Sequence, residues 1–356
     1  MRAYVRLMAL LALGVLAGVL PASAASAQSR PAQSSLPVNW DFATSFLSTY
    51  SSPGTSPPGA NIPGCRPSAA HPDPVILVHG TFENQNDNWQ AAAPLLANHG
   101  YCVFAFNYGG GAPSDNLQGT GDIAASAGQL AAFVTKVLTQ TDATKVDLVG
   151  HSQGGMMPRY YINFLGGAKK VAALVGLAPS NYGTTLDGLT SLGQTLGLLD
   201  PVNKFLSTTC TACVEQEVGS SFLASLNATP TVPGVTYTVI ETTGDEVVTP
   251  YTNAFLPAAP NVTNITLQDQ CTKDSSDHLE IANDPVTMAD MLNALDPAHP
   301  VQVPCLTVLP LVGPVGPVPS FWPDPPRAVL ARGDDPPEPP AGLKAPVTPS
   351  RGPWPP

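Results

Sequence analysis

Charged residues are scarce in this chain, and basic residues are scarcer than acidic ones. Charged side chains make up only 12% of the 356 residues, with 15 Lys and Arg against 26 Asp and Glu. With a formal net charge of −11, the chain lacks the basic surface that binding to nucleic acid requires. Electrostatic docking to an anionic membrane is disfavoured for the same reason. We therefore expect no nucleic-acid partner.

After its first 20 residues the chain also lacks an uncharged apolar run long enough to span a bilayer. The apolar run Leu7–Leu20 follows Arg2 and Arg6 and leads into two A-x-A sites within residues 22–27. A transmembrane anchor would need a longer run, whereas this order of features is typical of a cleaved secretory signal. We predict cleavage after Ala27, a secreted protein, and no integral membrane span after cleavage.

The chain has only six cysteines. In an exported protein they indicate three disulfides, but six cysteines allow 15 pairings that the residues alone do not distinguish. Cys210 and Cys213 form a C-x-x-C without a second such pair or paired histidines. A zinc site is therefore disfavoured, and a short structural disulfide is favoured. We expect no metal and no cofactor.

Proline is concentrated towards the C-terminal end, where it makes up about a third of residues 310–356. Such a composition excludes helices and central strands and favours a disordered or polyproline-like tail. We therefore predict a signal peptide over residues 1–27, one folded domain over residues 28–309, and a Pro-rich tail over residues 310–356.

Within the folded domain, short apolar strands alternate with helical patterns. The predicted strands are Val75–Val78, Tyr101–Phe106, Val146–Val149, Val171–Leu177, Val235–Ile240 and Val262–Leu267. The predicted helices are Ile123–Leu138, Gln153–Leu165 and Pro285–Leu295. This alternation predicts an α/β fold with a mostly parallel central sheet and helices on both faces. Ligands of such sheets bind at the carboxyl ends of the strands.

A G-x-S-x-G motif, Gly150–Gly154, lies between a predicted strand and a predicted helix. The motif alone is weak, but a sharp turn from strand to helix is the context that a nucleophilic serine of this type requires. The glycines remove side chains that would collide with the neighbouring strand and helix. The alternative is an ordinary helix-capping serine. We predict that Ser152 is the nucleophile.

A serine nucleophile needs a histidine base and a carboxylate that orients it. Only His278 and His299 follow Ser152, and His278 has the better position, in a loop between the last strand and the last helix. Asp245 lies in the turn after the preceding strand, with Glu246 as its rival. We predict His278 as the base and Asp245 as the acid.

The oxyanion of a tetrahedral intermediate needs preorganised hydrogen-bond donors. One donor is expected to be the backbone N–H of Gln153, directly after the nucleophile. The other is expected from the turn after the first strand, as the N–H of Thr81 with its hydroxyl as an additional donor. His79 and His151 are assigned structural roles.

Four motifs together resemble those of the class 2 secreted bacterial lipases. Three of them are also similar to those of yeast lipase B: the turn at Ser152, which we call the elbow, the turn with Thr81 and the turn with Asp245. The motifs occupy residues 79–81, 151–161, 244–251 and 277–279. The resemblance implies an α/β-hydrolase fold and cleavage of carboxylic esters of lipids. It also implies the triad and oxyanion donors named above.

The resemblance extends to the cysteines. It implies disulfides Cys65–Cys102 and Cys271–Cys305, which leaves Cys210 to pair with Cys213.

A long insertion, at about residues 179–231, carries many leucines among Gly, Ser and Thr. It is interpreted as a lid or acyl-pocket wall, against the alternative of a cap that only completes the core. The expected partner is a lipid or ester substrate, at a lipid–water interface, bound by a monomer. A short-chain esterase, a polyester hydrolase and an acyltransferase remain alternatives. A non-catalytic surface binding protein is disfavoured by the intact triad.

Overall fold

The computed structural model describes residues 35–195 and 210–320. Residues 36–195 and 210–320 belong to one compact unit. The predicted signal peptide, residues 1–27, and part of the predicted insertion, residues 196–209, lie outside the described residues.

A six-stranded sheet forms the centre of the described region, with strand order β2-β1-β3-β4-β5-β6. All neighbouring pairs are parallel. The strands are β1 Val75–Val78, β2 Val103–Ala105, β3 Val146–His151, β4 Val171–Leu177, β5 Thr236–Glu241 and β6 Val262–Thr266. The predicted parallel sheet is confirmed. The edge strand β2 is shorter than predicted because its pairing with β1 is limited to Val75–Leu77.

Helices cover both faces of the sheet, as predicted. They are α1 Phe42–Thr49, α2 Ala92–Asn98, α3 Ile123–Thr141, α4 Gln153–Phe164, α5 Leu186–Thr195, α6 Thr211–Glu215, α7 Ser221–Asn227, α8 Leu267–Gln270 and α9 Pro285–Leu295. Side chains of β1 alternate between two apolar cores. Ile76 and Val78 pack in one core with residues of α3 and α4. Val75 and Leu77 pack in the other with residues of α2 and α9.

The described fold continues past residue 309, where the Pro-rich tail was predicted to begin. Strands β7 Val308–Leu309 and β8 Gly313–Pro314 form a small antiparallel pair. The Ala43 N–H of α1 donates to the Leu311 carbonyl over 3.0 Å, which attaches the hairpin to the domain. Gly313 has a φ of 83°, and a side chain there would collide with the carbonyl oxygen of Trp40. Residues 321–356 lie outside the described residues.

All six cysteines are paired in the structure, with the pairing that the resemblance implies. Cys65–Cys102 joins the segment before β1 to the sheet edge at β2, across 37 residues. Cys271–Cys305 joins the end of α8 to the segment before β7, across 34 residues. Cys210–Cys213 closes a short loop at the start of α6. Among the described residues, no helix is long and apolar enough to cross a membrane.

Candidate active site

The turn between β3 and α4 presents Ser152 in a strained backbone conformation. Its φ of 54° and ψ of −123° are unusual for a residue with a side chain. A side chain on Gly150 would overlap the Gly154 carbonyl, and one on Gly154 would overlap carbonyl oxygens at the end of β1. The Ser152 N–H donates to the Leu177 carbonyl over 2.9 Å. The predicted sharp strand-to-helix turn is thus present, and it explains both glycines.

Ser152, His278 and Asp245 form one hydrogen-bonded series. The His278 Nε2 lies 3.0 Å from the Ser152 Oγ, and the His278 Nδ1 lies 2.8 Å from the Asp245 Oδ2. All three side chains are buried. The carboxylate accepts a hydrogen bond, so it favours the tautomer with hydrogen on Nδ1. The Nε2 lone pair then faces the serine hydroxyl, which is the arrangement that a general base requires.

Asp245 faces the histidine ring, whereas its predicted rival faces the backbone. The Asp245 Oδ1 accepts from the N–H groups of Val247 and Val248, each over 2.7 Å. These bonds leave Oδ2 for the ring of His278. The Glu246 Oε2 accepts from the His278 backbone N–H over 3.3 Å. The other candidate base, His299, lies at the surface and pairs with Asp296.

The electrostatic surroundings of His278 shift its pKa. Burial alone lowers the pKa of His278, but the charge and hydrogen bond of Asp245, with the charges of Glu246 and Glu83, outweigh burial. The pKa of His278 is therefore raised above its ordinary value of 6.5. An imidazolium that forms during reaction is stabilised in the same way. Burial, followed by the charge of Asp245, raises the pKa of Glu241 well above its ordinary value.

The predicted oxyanion donors lie beside the nucleophile. A side chain built on Gly80 would come within 3.2 Å of the Ser152 Cβ, so the turn containing Thr81 passes close to the serine. Among the described residues, the backbone N–H of Thr81 has no acceptor. Gln153 is the first residue of α4, where a backbone N–H has no intrahelical acceptor. Its side-chain Nε2 donates to the Thr81 Oγ1 over 2.9 Å.

A buried polar layer behind His278 was missed by the sequence analysis. The His151 Nε2 donates to the His278 backbone carbonyl over 2.8 Å, and its Nδ1 lies 2.9 Å from the Glu83 Oε2. Glu83 also accepts from the Gly80 N–H and from Asn88. The role of His151 is thus structural, as predicted. The signal in the sequence is the run of polar side chains at residues 83–88, which follows Phe82.

His79 is also a buried structural residue. Its Nδ1 donates to the Gly80 carbonyl over 2.8 Å, and its ring stacks on Tyr108. Burial lowers the pKa of His79 to about 4. The side chain therefore stays neutral at physiological pH.

Within the described part of the insertion between β4 and β5 lie the helices α5, α6 and α7, which we call the cap. Leu189 and Leu192 of α5 are buried in the core shared with α3 and α4. Gln216, which follows α6, is buried and donates from Nε2 to the Thr81 Oγ1 over 3.0 Å. The sequence analysis did not identify Gln216. Residues 196–209, which carry further predicted cap leucines, lie outside the described residues.

A separate groove of about 980 Å³ lies beside β2 and α3. Phe106, Phe133 and Lys136 are among the residues that line it, and none of the three residues of the hydrogen-bonded series does. We therefore do not assign this groove to the reaction. Within residues 35–195 and 210–320, no group of three His, Cys, Asp or Glu side chains is placed to hold a metal ion.

Comparison with known proteins identifies the family. Residues 72–290 match the family model described as lipase (class 2). The chain belongs to the class 2 lipase family. A triacylglycerol lipase of Pseudarthrobacter phenanthrenivorans is 44% identical over 92 residues, which are 24% of this chain and 27% of that protein. A triacylglycerol lipase of Burkholderia plantarii is also 44% identical over 92 residues, 24% of each chain. The match therefore spans about a quarter of the length of these curated relatives.

Solved structures give more distant likenesses to this chain. Aspergillus fumigatus lipase B has a TM-score of 0.48 and 18% identity, covering 70% of this chain and 62% of that chain. A mature Bacillus licheniformis lipase has a TM-score of 0.45 and 19% identity, covering 66% and 99%. The family match, the parallel sheet order and the elbow at Ser152 identify the fold as the α/β-hydrolase fold.

Proposed function

We propose that this class 2 lipase is a secreted serine carboxylic-ester hydrolase that cleaves triacylglycerols or other fatty-acyl esters. The observation that carries the proposal is the hydrogen-bonded series from Asp245 through His278 to Ser152. The series ends at a strained serine at the carboxyl end of a parallel strand, where ligands of such sheets bind. Further support comes from the two relatives, which are named triacylglycerol lipases.

In the first step, His278 removes the proton from the Ser152 hydroxyl as the oxygen attacks the ester carbonyl. Asp245 holds the ring in the required tautomer and stabilises the imidazolium. The carbonyl oxygen becomes an oxyanion, and the backbone N–H groups of Thr81 and Gln153 donate to it. A donor of this kind accounts for about 10²–10³ in kcat when it is removed from other serine hydrolases.

In the second step, the His278 imidazolium gives its proton to the alcohol oxygen, and the C–O bond of the ester breaks. The acyl group remains on Ser152 until His278 activates a water molecule, which attacks the acyl carbonyl. Collapse of this second tetrahedral intermediate releases the fatty acid and restores the serine. The acyl chain lies under the apolar cap, which we propose to act as a lid or acyl-pocket wall.

Secretion is proposed from the basic and apolar leader, residues 1–27, and is supported by the three disulfides. We propose that the protein acts as a monomer at a lipid–water interface. The roles of Ser152, Asp245, His278, Thr81 and Gln153 are part of the same proposal.

Hydrolysis of p-nitrophenyl esters of increasing acyl length tests the proposal, together with emulsified triacylglycerol. We expect activity on long chains, and loss of that activity in Ser152→Ala. Ser114→Ala is a matched control, because Ser114 is exposed and distant in sequence from every proposed catalytic residue. Activity confined to acetate and butyrate esters would show that the protein is a short-chain esterase and not a lipase. Full activity in Ser152→Ala would refute the nucleophile.

A further inference from the structure

The hydroxyl of Thr81 accepts two hydrogen bonds from side-chain amides. Gln153 donates from Nε2 over 2.9 Å, and Gln216 donates from Nε2 over 3.0 Å. All three side chains are buried. A threonine hydroxyl has two lone pairs and one hydrogen. When both lone pairs are occupied by donors, the hydrogen is confined to the remaining direction.

The Gln153 amide cannot reverse its orientation without cost. Its Nε2 also donates to the Gly119 carbonyl over 2.7 Å, so a flipped amide would place two oxygens in contact. The side chain therefore donates to Thr81 and does not accept from it.

The orientation of the Gln216 amide is also fixed, by hydrogen bonds at both its oxygen and its nitrogen. The Ser180 hydroxyl donates to the Gln216 Oε1 over 2.8 Å, and the Gln216 Nε2 also donates to the Ala212 carbonyl over 3.2 Å. A flipped amide would set its oxygen against that carbonyl. Gln216 is thus a fixed donor to Thr81, and it comes from the cap, 135 residues further along the chain.

Among the described residues, the Thr81 hydroxyl hydrogen has no acceptor of its own. The turn that carries Thr81 lies against Ser152, and its backbone N–H is the proposed oxyanion donor. An oxyanion that forms there supplies the acceptor that the hydroxyl lacks. The sequence already led us to expect the Thr81 hydroxyl as an additional oxyanion donor. We propose that Gln216 is a positioning residue that, with the Gln153 side chain, holds this hydroxyl with its hydrogen towards the oxyanion. This inference rests on the proposed ester hydrolysis through Ser152.

The cap thereby completes the oxyanion site. Gln216 follows the short helix α6, whose start is closed by Cys210–Cys213. Its backbone carbonyl accepts from the Thr184 N–H over 2.9 Å, which ties the same residue to the start of the cap. The cap therefore contributes to transition-state stabilisation in addition to covering the substrate.

A double-mutant cycle tests the inference. Thr81→Val removes the hydroxyl and keeps the backbone N–H and the shape, and Gln216→Met removes the donor amide at similar volume. We expect kcat to fall about 100-fold in Thr81→Val, the lower end of the range for an oxyanion donor. We expect a fall of about 10-fold in Gln216→Met, because Gln153 alone leaves the hydroxyl hydrogen able to point away from the oxyanion. KM should change little in either variant, because the hydrogen bond forms only with the oxyanion.

The decisive comparison is between the double variant and Thr81→Val. If Gln216 acts through the hydroxyl, the double variant has the kcat of Thr81→Val within about twofold. If the two losses multiply, or if Gln216→Met changes only KM, the inference is refuted.

Controls separate this result from misfolding and from failure of the proposed function. Each kcat is measured per active site, by titration with a fluorophosphonate ester that reacts with the serine. Thr81→Ser keeps the hydroxyl and should retain most of the activity, and Glu217→Gln, next to Gln216 on the cap, should leave kcat unchanged. A Ser152→Ala variant that still hydrolyses ester overturns the proposed function and this inference together. Loss of activity in Ser152→Ala, with multiplying losses in the cycle, overturns this inference alone.

Discussion

Asp245→Asn should abolish the base function of His278 without a large change of shape. The Asp245 Oδ1 accepts two backbone N–H groups, each over 2.7 Å. In the asparagine variant the amide oxygen takes this position, because an amide NH₂ there would face two other donors. The NH₂ group then faces the His278 Nδ1. Because the amide donates, the ring must accept at Nδ1 and carry its hydrogen on Nε2, where it cannot take the serine proton.

The size of the effect follows from this reversed tautomer. The same exchange in a serine protease triad lowers kcat about 10⁴-fold, and we expect a similar loss, equivalent to about 5 kcal/mol of transition-state stabilisation. The assay is kcat/KM for a soluble p-nitrophenyl ester between pH 5 and pH 10, with thermal unfolding to verify the fold. Because Asp245 raises the pKa of His278, the acid limb of the residual activity should also move to lower pH.

Glu246→Gln is the matched control. Glu246 accepts from the His278 backbone N–H over 3.3 Å and does not contact the ring. We expect it to lose less than about tenfold in kcat/KM, since a neutral amide oxygen still accepts that bond. A loss near 10⁴ in Glu246→Gln, with near-normal activity in Asp245→Asn, would refute the assignment of the acid.

Three further predictions concern pH, packing and covalent links. The neutral form of His278 is the base and its pKa is raised, so kcat/KM should fall as pH drops through a midpoint above 6.5, and a midpoint below 6 would contradict the electrostatic argument. Gly154→Ala places a methyl group on carbonyl oxygens at the end of β1, and should lower the free energy of unfolding by about 3 kcal/mol and abolish activity. An unchanged melting temperature would count against this steric account. Replacing Cys65 and Cys102 by Ala opens a 37-residue link and should cost about 4 kcal/mol in the chain-entropy model, seen as a lower melting temperature with activity retained at 25 °C. The same melting temperature in oxidised and reduced wild type would contradict it.

The parts of the molecule that sequence reasoning predicted depend on local patterns. The limits of β4, Val171–Leu177, match the predicted strand because an apolar run buried on both faces ends where polar or turn residues begin. The turn at Ser152 was predictable because its steric demands are met within five residues. The small helices α1 and α2 were missed, since each is at most eight residues long and shows little periodicity.

The polar contacts around the site were not predictable from the sequence because they join distant residues. His151 and Glu83 are 68 residues apart, and Gln216 is 135 residues from Thr81. No local pattern encodes which buried amide or carboxylate meets which partner. The proposed triad could be predicted because its order along the chain is a property of the fold.

The position of Gln216 sets a condition on how freely the cap can be exchanged. In many enzymes an inserted segment is a module, and replacing it alters the substrate range while the catalytic groups remain intact. Here the segment between β4 and β5 also supplies one of the two amides that hold the Thr81 hydroxyl. If Gln216 has the proposed role, a cap transplanted from another member of the family would bring its own acyl preference, but the chimera would turn over slowly unless the new segment places an amide at the same point.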